Sequence, residues 1–272
     1  MSEPAPISGP QRVAVVIAAQ DDRDTISSTV RACNAIPGVD LIVVVDDGST
    51  DDTATAARSA GAVVVRHSVP RGRASALETG VKVVAMRDRE DWPSRHLLFL
   101  DPTLGDSAVE ASALVEPLNR GAADCAIGVA PAEGLFVRRS GAQKAAYATI
   151  RGITGFSSTD SLASNRALTR EAVNTIMPFS AGHGVDVGMT VDLLTEGFSV
   201  VEIPCEFEAA PRVRTRKRDG HGTPSRGDIW WTVRARRILS RRVKPSHRLE
   251  RDQQGVGIPY SLQLPKKSAS GS

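Results

Sequence analysis

Three apolar runs in this chain end in carboxylates. Leu41-Ile42-Val43-Val44-Val45 stops at Asp46-Asp47, before the turn Gly48-Ser49-Thr50-Asp51. Val13-Ala14-Val15-Val16-Ile17-Ala18-Ala19 runs into Gln20-Asp21-Asp22, and Leu97-Leu98-Phe99-Leu100 into Asp101-Pro102-Thr103. Carboxylates so placed accept hydrogen bonds from ribose hydroxyls or a base N–H, and paired carboxylates hold a hard divalent cation. The runs themselves have the length and composition of buried parallel strands, whose carboxyl ends are where open α/β sheets bind ligands. Three such endings favour a nucleotide-type site. Arg71-Gly72-Arg73 adds cations at a helix start, where N–H groups suit an anion and the glycine permits close backbone approach.

The elements that must position these residues alternate. Strands are expected over 13–19, 41–46, 62–66, 97–101 and 124–129, with helices over 25–35, 52–60, 73–89 and 107–120 between and after them. This order implies a mostly parallel sheet with right-handed crossovers. Residues 131–160 lack clear periodicity, with Gln143 to Arg151 as a candidate helix. Helices at 169–176 and 184–197 and a strand at 198–203 complete the domain. Asp51, Asp52 and Asp106 suit helix caps.

A chain of 272 residues with 41% hydrophobic and 24% charged residues is ordinary for one globular α/β domain. Its apolar runs are strand-length, short of a membrane span. Met1 to Pro10 is polar and Pro-rich without an apolar core, so no secretory signal is visible. Cys33, Cys125 and Cys205 have no metal-ligand spacing and read as inert thiols, which favours a cytoplasmic place. Net charge is +3, but residues 212–251 hold 14 Lys or Arg against three acids, leaving the remainder net acidic. Residues 211–228 read as a loop and 228–243 as a basic amphipathic helix, with Trp231, Ala235, Ile238 and Leu239 on one face. An anionic membrane surface fits that helix, which would place the protein peripherally on the inner face of the cell membrane. Nucleic acid is a poorer partner, because no stacking aromatics are interleaved along the patch. Residues 1–11 and 252–272 are expected as disordered tails.

The ordered motifs resemble the family 2 glycosyltransferases, which have the GT-A fold. They are the first strand ending in Ala19-Gln20-Asp21-Asp22, Val45-Asp46-Asp47-Gly48-Ser49-Thr50-Asp51, Arg71-Gly72-Arg73-Ala74, Phe99-Leu100-Asp101, Ser164-Asn165-Arg166-Ala167 and Gly182-His183-Gly184-Val185-Asp186. The resemblance covers residues 12–211 and is strongest to the branch that uses polyprenyl-phosphate or small phosphorylated acceptors. It implies a GT-A-like, Rossmann-like α/β domain with a nucleotide-sugar half (12–129) and an acceptor half (130–211). It also implies transfer of a hexose from a UDP- or GDP-linked sugar to a phosphate-bearing acceptor. On that reading Asp22 and Asp46 hold base and ribose, with Asp47 as a substitute, and Gly72 and Arg73 suit the anionic diphosphate. Ala19, Gly48, Asp101 and Thr103 complete the substrate-binding set. Arg166 is the family's phosphate-binding arginine, and Asp186 orients the acceptor or acts as base.

Two departures bear on the metal. The family's Asp-x-Asp motif holds Mg²⁺ or Mn²⁺ against the diphosphate, but here it stands as Asp101-Pro102-Thr103. The family's His after the last strand is missing from Glu208-Ala209-Ala210, and His221 lies too far along. A lone Asp101, even with Asp106 as helper, holds a divalent ion weakly or not at all. Neutralisation then falls to Arg73, Arg138, Arg139, Arg166 or Arg212. A catalytically decayed homologue that only binds a nucleotide sugar or a partner stays open as the alternative. A nucleotidyltransferase is disfavoured, because no Gly-rich loop follows strand 13–19.

Overall fold

The computed structural model describes residues 9–131, 140–180, 184–208, 248–249 and 253–264. In chain order its elements are β1 (Val13–Ala19), α1 (Arg23–Cys33), β2 (Val39–Asp46), α2 (Thr53–Ser59), β3 (Val63–Arg66), α3 (Arg73–Ala85) and β4 (His96–Leu100). A 3-10 helix (Gly105–Ala111), α4 (Ser112–Asn119), β5 (Cys125–Val129), α5 (Gly141–Thr154), β6 (Arg166–Leu168), α6 (Arg170–Ile176), α7 (Val185–Thr195) and β7 (Val200–Pro204) follow. The seven strands lie in the order β3-β2-β1-β4-β6-β5-β7. All run parallel except β6, which is antiparallel to both β4 and β5.

Burial explains why the strand sequences are apolar throughout. Every residue of β1 is buried. Val13, Val15, Ile17 and Ala19 join one core, and Ala14, Val16 and Ala18 join the other across the sheet. Helices cover both faces, the arrangement that an all-apolar strand requires. In-register pairing sets Ala19 beside Asp46 and Asp46 beside Arg66, so the carboxyl ends of β1, β2 and β3 make one polar edge.

Four features differ from the sequence expectation. The helix expected over 107–120 divides into a 3-10 helix and α4, which carries Pro117 inside it. β6 was not expected, because three residues carry no readable alternation. Its antiparallel direction brings its first residue, Arg166, to the same polar edge, opposite Phe99 and Ile127. The supposed tail from 252 onward is not loose over 253–264. Tyr260 and Leu262 are buried, and Tyr260 forms an antiparallel bridge with Val200. Tyr260 also donates its hydroxyl to Thr154 O, and Gln254 accepts from Ser157 N. Two apolar anchors in a Pro/Ser/Lys-rich stretch suffice to dock it. At the other terminus, Gln11 is tied to Ser94 O at 2.8 Å. The basic helix 228–243, the loop 211–228, Arg138, Arg139, Gly182, His183, Arg212 and His221 lie outside the described residues.

The three cysteines are buried and unpaired, and burial pushes each thiol up to about 12. Protonated thiols of this kind are packing groups and not nucleophiles.

Candidate functional site

The first two strand-end turns are stitched together. Asp21, at φ 55, accepts from Thr50 N and Thr50 Oγ1, while Ser49 Oγ accepts from Asp21 N. Asp22 is buried. Its Oδ2 accepts from Gln20 N, and its own N–H donates to Thr53 Oγ1. Asp51 takes the helix-start role, accepting from Thr53 N and Arg23 N.

Asp46 and Asp47 are both buried, but their surroundings differ. Asp46 Oδ1 accepts from Ser49 N at 2.8 Å. Its Oδ2 has no hydrogen-bond partner among the described residues, only an ion contact of 3.3 Å with Arg66 Nε. Arg66 is half exposed and also donates to Ser49 O. A buried carboxylate oxygen lacking a donor is costly unless a ligand supplies one. Asp47 is instead taken up by the protein. Its carboxylate accepts from Arg71 N at 2.8 Å, Gly72 N at 2.7 Å and the His67 ring at 2.6 Å. This corrects two expectations. Asp47 is no substitute for Asp46 at the ligand, and the Arg71 and Gly72 N–H groups are held by an internal anion. Gly48 likewise serves the turn. It sits at φ 76, and a Cβ there would come within 2.8 Å of Pro70 N, so only glycine lets residues 69–70 lie across it. Gly72, at φ 87, faces open space.

The acceptor-half residues converge. Arg73 Nη1 donates to both oxygens of Asp186, at 2.7 and 2.9 Å, and its Nη2 donates to Ser164 O. Arg166 Nη2 stands 3.5 Å from Asp186 Oδ1 and donates to Ala163 O, while Nη1 donates to Asp186 O. Asp186 lies in the first turn of α7, where the helix dipole favours a carboxylate. Within this cluster two arginines face one carboxylate, a local excess of one positive charge. Arg166 is only 1% exposed. It was expected to touch phosphate. Its guanidinium is walled in by Asp186, Ala163 and Thr190, so it positions Asp186.

The third turn tests the metal. Asp101 Oδ1 accepts from Thr103 N at 3.0 Å and Thr103 Oγ1 at 2.7 Å, and Asp101 N donates to Asn165 Oδ1. A second carboxylate would add acceptors facing a cation. The threonine adds a donor that turns toward Asp101. Asp106 is exposed on the 3-10 helix. Among the described residues no group of three or more His, Cys, Asp or Glu is placed to hold a metal ion. The donor set does not fit the two-carboxylate divalent site of the fold family. Beside Asn165 lies a cavity of about 210 Å³, lined in part by Asp160, Ser164, Cys205 and Phe207.

Residues 14–177 match the profile of Glycosyl transferase family 2. The chain belongs to that family. Its fold is GT-A, and the protein is a nucleotide-sugar-dependent glycosyltransferase. It is 30% identical over 218 residues to the polyprenol monophosphomannose synthase of Mycolicibacterium smegmatis, covering 75% of this chain and 80% of that one. Among solved structures it is similar to glucosyl-3-phosphoglycerate synthase from Mycobacterium tuberculosis. The complex with Mn²⁺, UDP and glucosyl-3-phosphoglycerate superposes with a TM-score of 0.60 at 22% identity, covering 85% of this chain and 80% of that one. The UDP complex gives 0.62 at 20% identity, covering 93% and 91%.

Several residues of this glycosyltransferase site escaped the sequence reading. Arg66 ends an unremarkable strand, and His67 follows it with no motif. Asn165 was visible in Ser164-Asn165-Arg166, but nothing in the chain announced that its amide would hold the Asp101 backbone. Among the described residues, no helix is long and apolar enough to cross a membrane.

Proposed function

We propose that this glycosyltransferase moves a hexose from a UDP- or GDP-linked sugar to a phosphate-bearing acceptor of the polyprenyl-phosphate kind. The observation that carries the reading is the Arg73–Asp186–Arg166 cluster at the polar edge. The likeness to a polyprenol monophosphomannose synthase supports the acceptor class.

The roles follow from the surroundings of each group. Asp46, with its unpartnered Oδ2, takes a donor from ribose or base once Arg66 swings aside, and Asp22 flanks it. Arg73 donates to Ser164 O on the rim of the cavity and meets the diphosphate as negative charge develops there. Asp186 aligns the acceptor, and Arg166 holds Asp186 in place. A phosphate oxygen of the acceptor attacks the anomeric carbon and forms the new C–O bond. The bond to the diphosphate breaks, and the nucleoside diphosphate leaves with its electron pair. An ionised phosphate needs no general base, so orientation suffices. Mg²⁺ or Mn²⁺ contributes little, because the residues at Asp101 and Thr103 offer one carboxylate only.

Isothermal titration of UDP, GDP, UDP-glucose and GDP-mannose, with and without Mn²⁺, tests the reading. One nucleotide series is expected to bind, with its sugar then transferred to a polyprenyl phosphate. Absence of binding across the panel, or transfer to no phosphorylated acceptor, would overturn it.

A further inference from the structure

His67 has no part in the reaction as described, yet it sits in a buried relay. Its Nδ1 lies 2.6 Å from Asp47 Oδ1 and its Nε2 3.0 Å from Thr79 Oγ1. With Asp47 accepting, Nδ1–H donates to the carboxylate, and Nε2 is hydrogen-bonded to the threonine hydroxyl. The same carboxylate accepts from Arg71 N and Gly72 N, the two residues immediately before Arg73. His67 and Asp47 are buried, and His67 N also donates to Asp46 O. Thr79 belongs to α3, the helix that Arg73 opens. The relay therefore ties the end of β2, the end of β3, the turn 67–72 and α3 into one unit.

We infer that His67, through Asp47, is a positioning residue for Arg73. The relay fixes the turn that aims the Arg73 guanidinium at Asp186 and the diphosphate. The inference rests on the reading that Arg73 meets the diphosphate.

The Arg73 guanidinium is held at its far end by Asp186 and Ser164 O. Its backbone has less to hold it, being the first residue of its helix after a glycine at φ 87 that faces open space. The carboxylate beneath the turn fixes that backbone, and that carboxylate is held by a ring whose far nitrogen is anchored on the helix itself. Removing the ring takes away the side chain that anchors Asp47 to α3, and the turn keeps its path but loses its stop.

The full chain carries the test, with His67→Phe, Thr79→Val and Thr79→Ser. Hydrogen exchange is followed in the peptide spanning residues 68–76 and in peptides from β1 and β4. His67→Phe and Thr79→Val are expected to speed exchange at 68–76 at least tenfold and to leave β1 and β4 unchanged, whereas Thr79→Ser behaves as the parent. Titration with UDP and GDP then gives the coupling. His67→Phe is expected to weaken binding at least fivefold in the parent and less than twofold in an Arg73→Gln background. Unchanged exchange at 68–76 overturns the inference. So does an equal loss of affinity in both backgrounds, because that is the signature of general destabilisation. An Arg73→Gln variant that binds as tightly as the parent overturns the role of Arg73 itself, and the inference with it, even where exchange at 68–76 responds to His67→Phe.

Discussion

Thr103 Oγ1 donates to Asp101 across 2.7 Å, where a second carboxylate would offer acceptors to a cation. A chelator is expected to change nucleotide-sugar affinity by less than about threefold, under ~0.7 kcal/mol. Thr103→Asp replaces the donor with a second carboxylate on the same turn. It should raise the chelator effect above tenfold, and an unchanged titration would show that the turn cannot present both acids to one ion. Asp46→Ala removes the buried oxygen that lacks a donor. Its loss should weaken nucleotide binding at least tenfold, about 1.5–3 kcal/mol for a charge-assisted bond, and an unaltered dissociation constant would exclude Asp46 from the site. Asp46, Asp101 and Asp186 were legible as acids at strand and helix ends, because their position follows from local pattern. The split between Asp46 and Asp47 was not legible. It depends on His67, some twenty residues away, and on backbone N–H groups that no side-chain motif reports.

Glu202 shows how an element can be tied down at a pH-dependent cost. It lies on β7, and both its oxygens accept from Thr159 N, at 2.8 and 2.9 Å. Burial raises its pKa above the ordinary carboxylate range, against the Thr159 bonds that lower it. The folded chain therefore binds a proton that the unfolded chain has already lost. Stability from this group is present below the unfolded value of about 4.3 and falls as pH rises toward the folded one. Glu202→Gln keeps the shape and one acceptor without the titration. Its melting temperature relative to the parent should climb between pH 4 and pH 7, and a constant gap would refute the burial argument. The alternation of strand and helix was legible because each continuous apolar run has the length of a buried strand and is followed by residues that start a helix. β6 was hidden because it is short, and α5 was seen only as a fragment. Its N-cap Ser140 and its C-cap Gly155 both lie outside 143–151, the candidate span in a stretch without clear periodicity.

At the scale of the molecule, Glu208 and Arg248, the residues that flank the basic segment, both bond to the core. Glu208 N donates to Ser107 Oγ, and Arg248 donates to the last carbonyls of α5. Twelve of that segment's residues are Lys or Arg. Each is worth about 1 kcal/mol near an anionic surface, and the effect fades as the Debye length shrinks to about 3 Å at 1 M salt. Arg236, Arg237, Arg241 and Arg242 changed together to Gln should abolish flotation with phosphatidylserine vesicles at low salt. Equal flotation of parent and variant would make those arginines a solvated face. The bridge between Val200 and Tyr260 has a different consequence. β7 is an outer strand, and its Val200 and Glu202 backbone groups are occupied by Tyr260 and Gly257. A chain clipped before residue 253 would present that ladder bare to a second clipped chain. Such fragments should polymerise edge to edge while the intact protein stays dispersed.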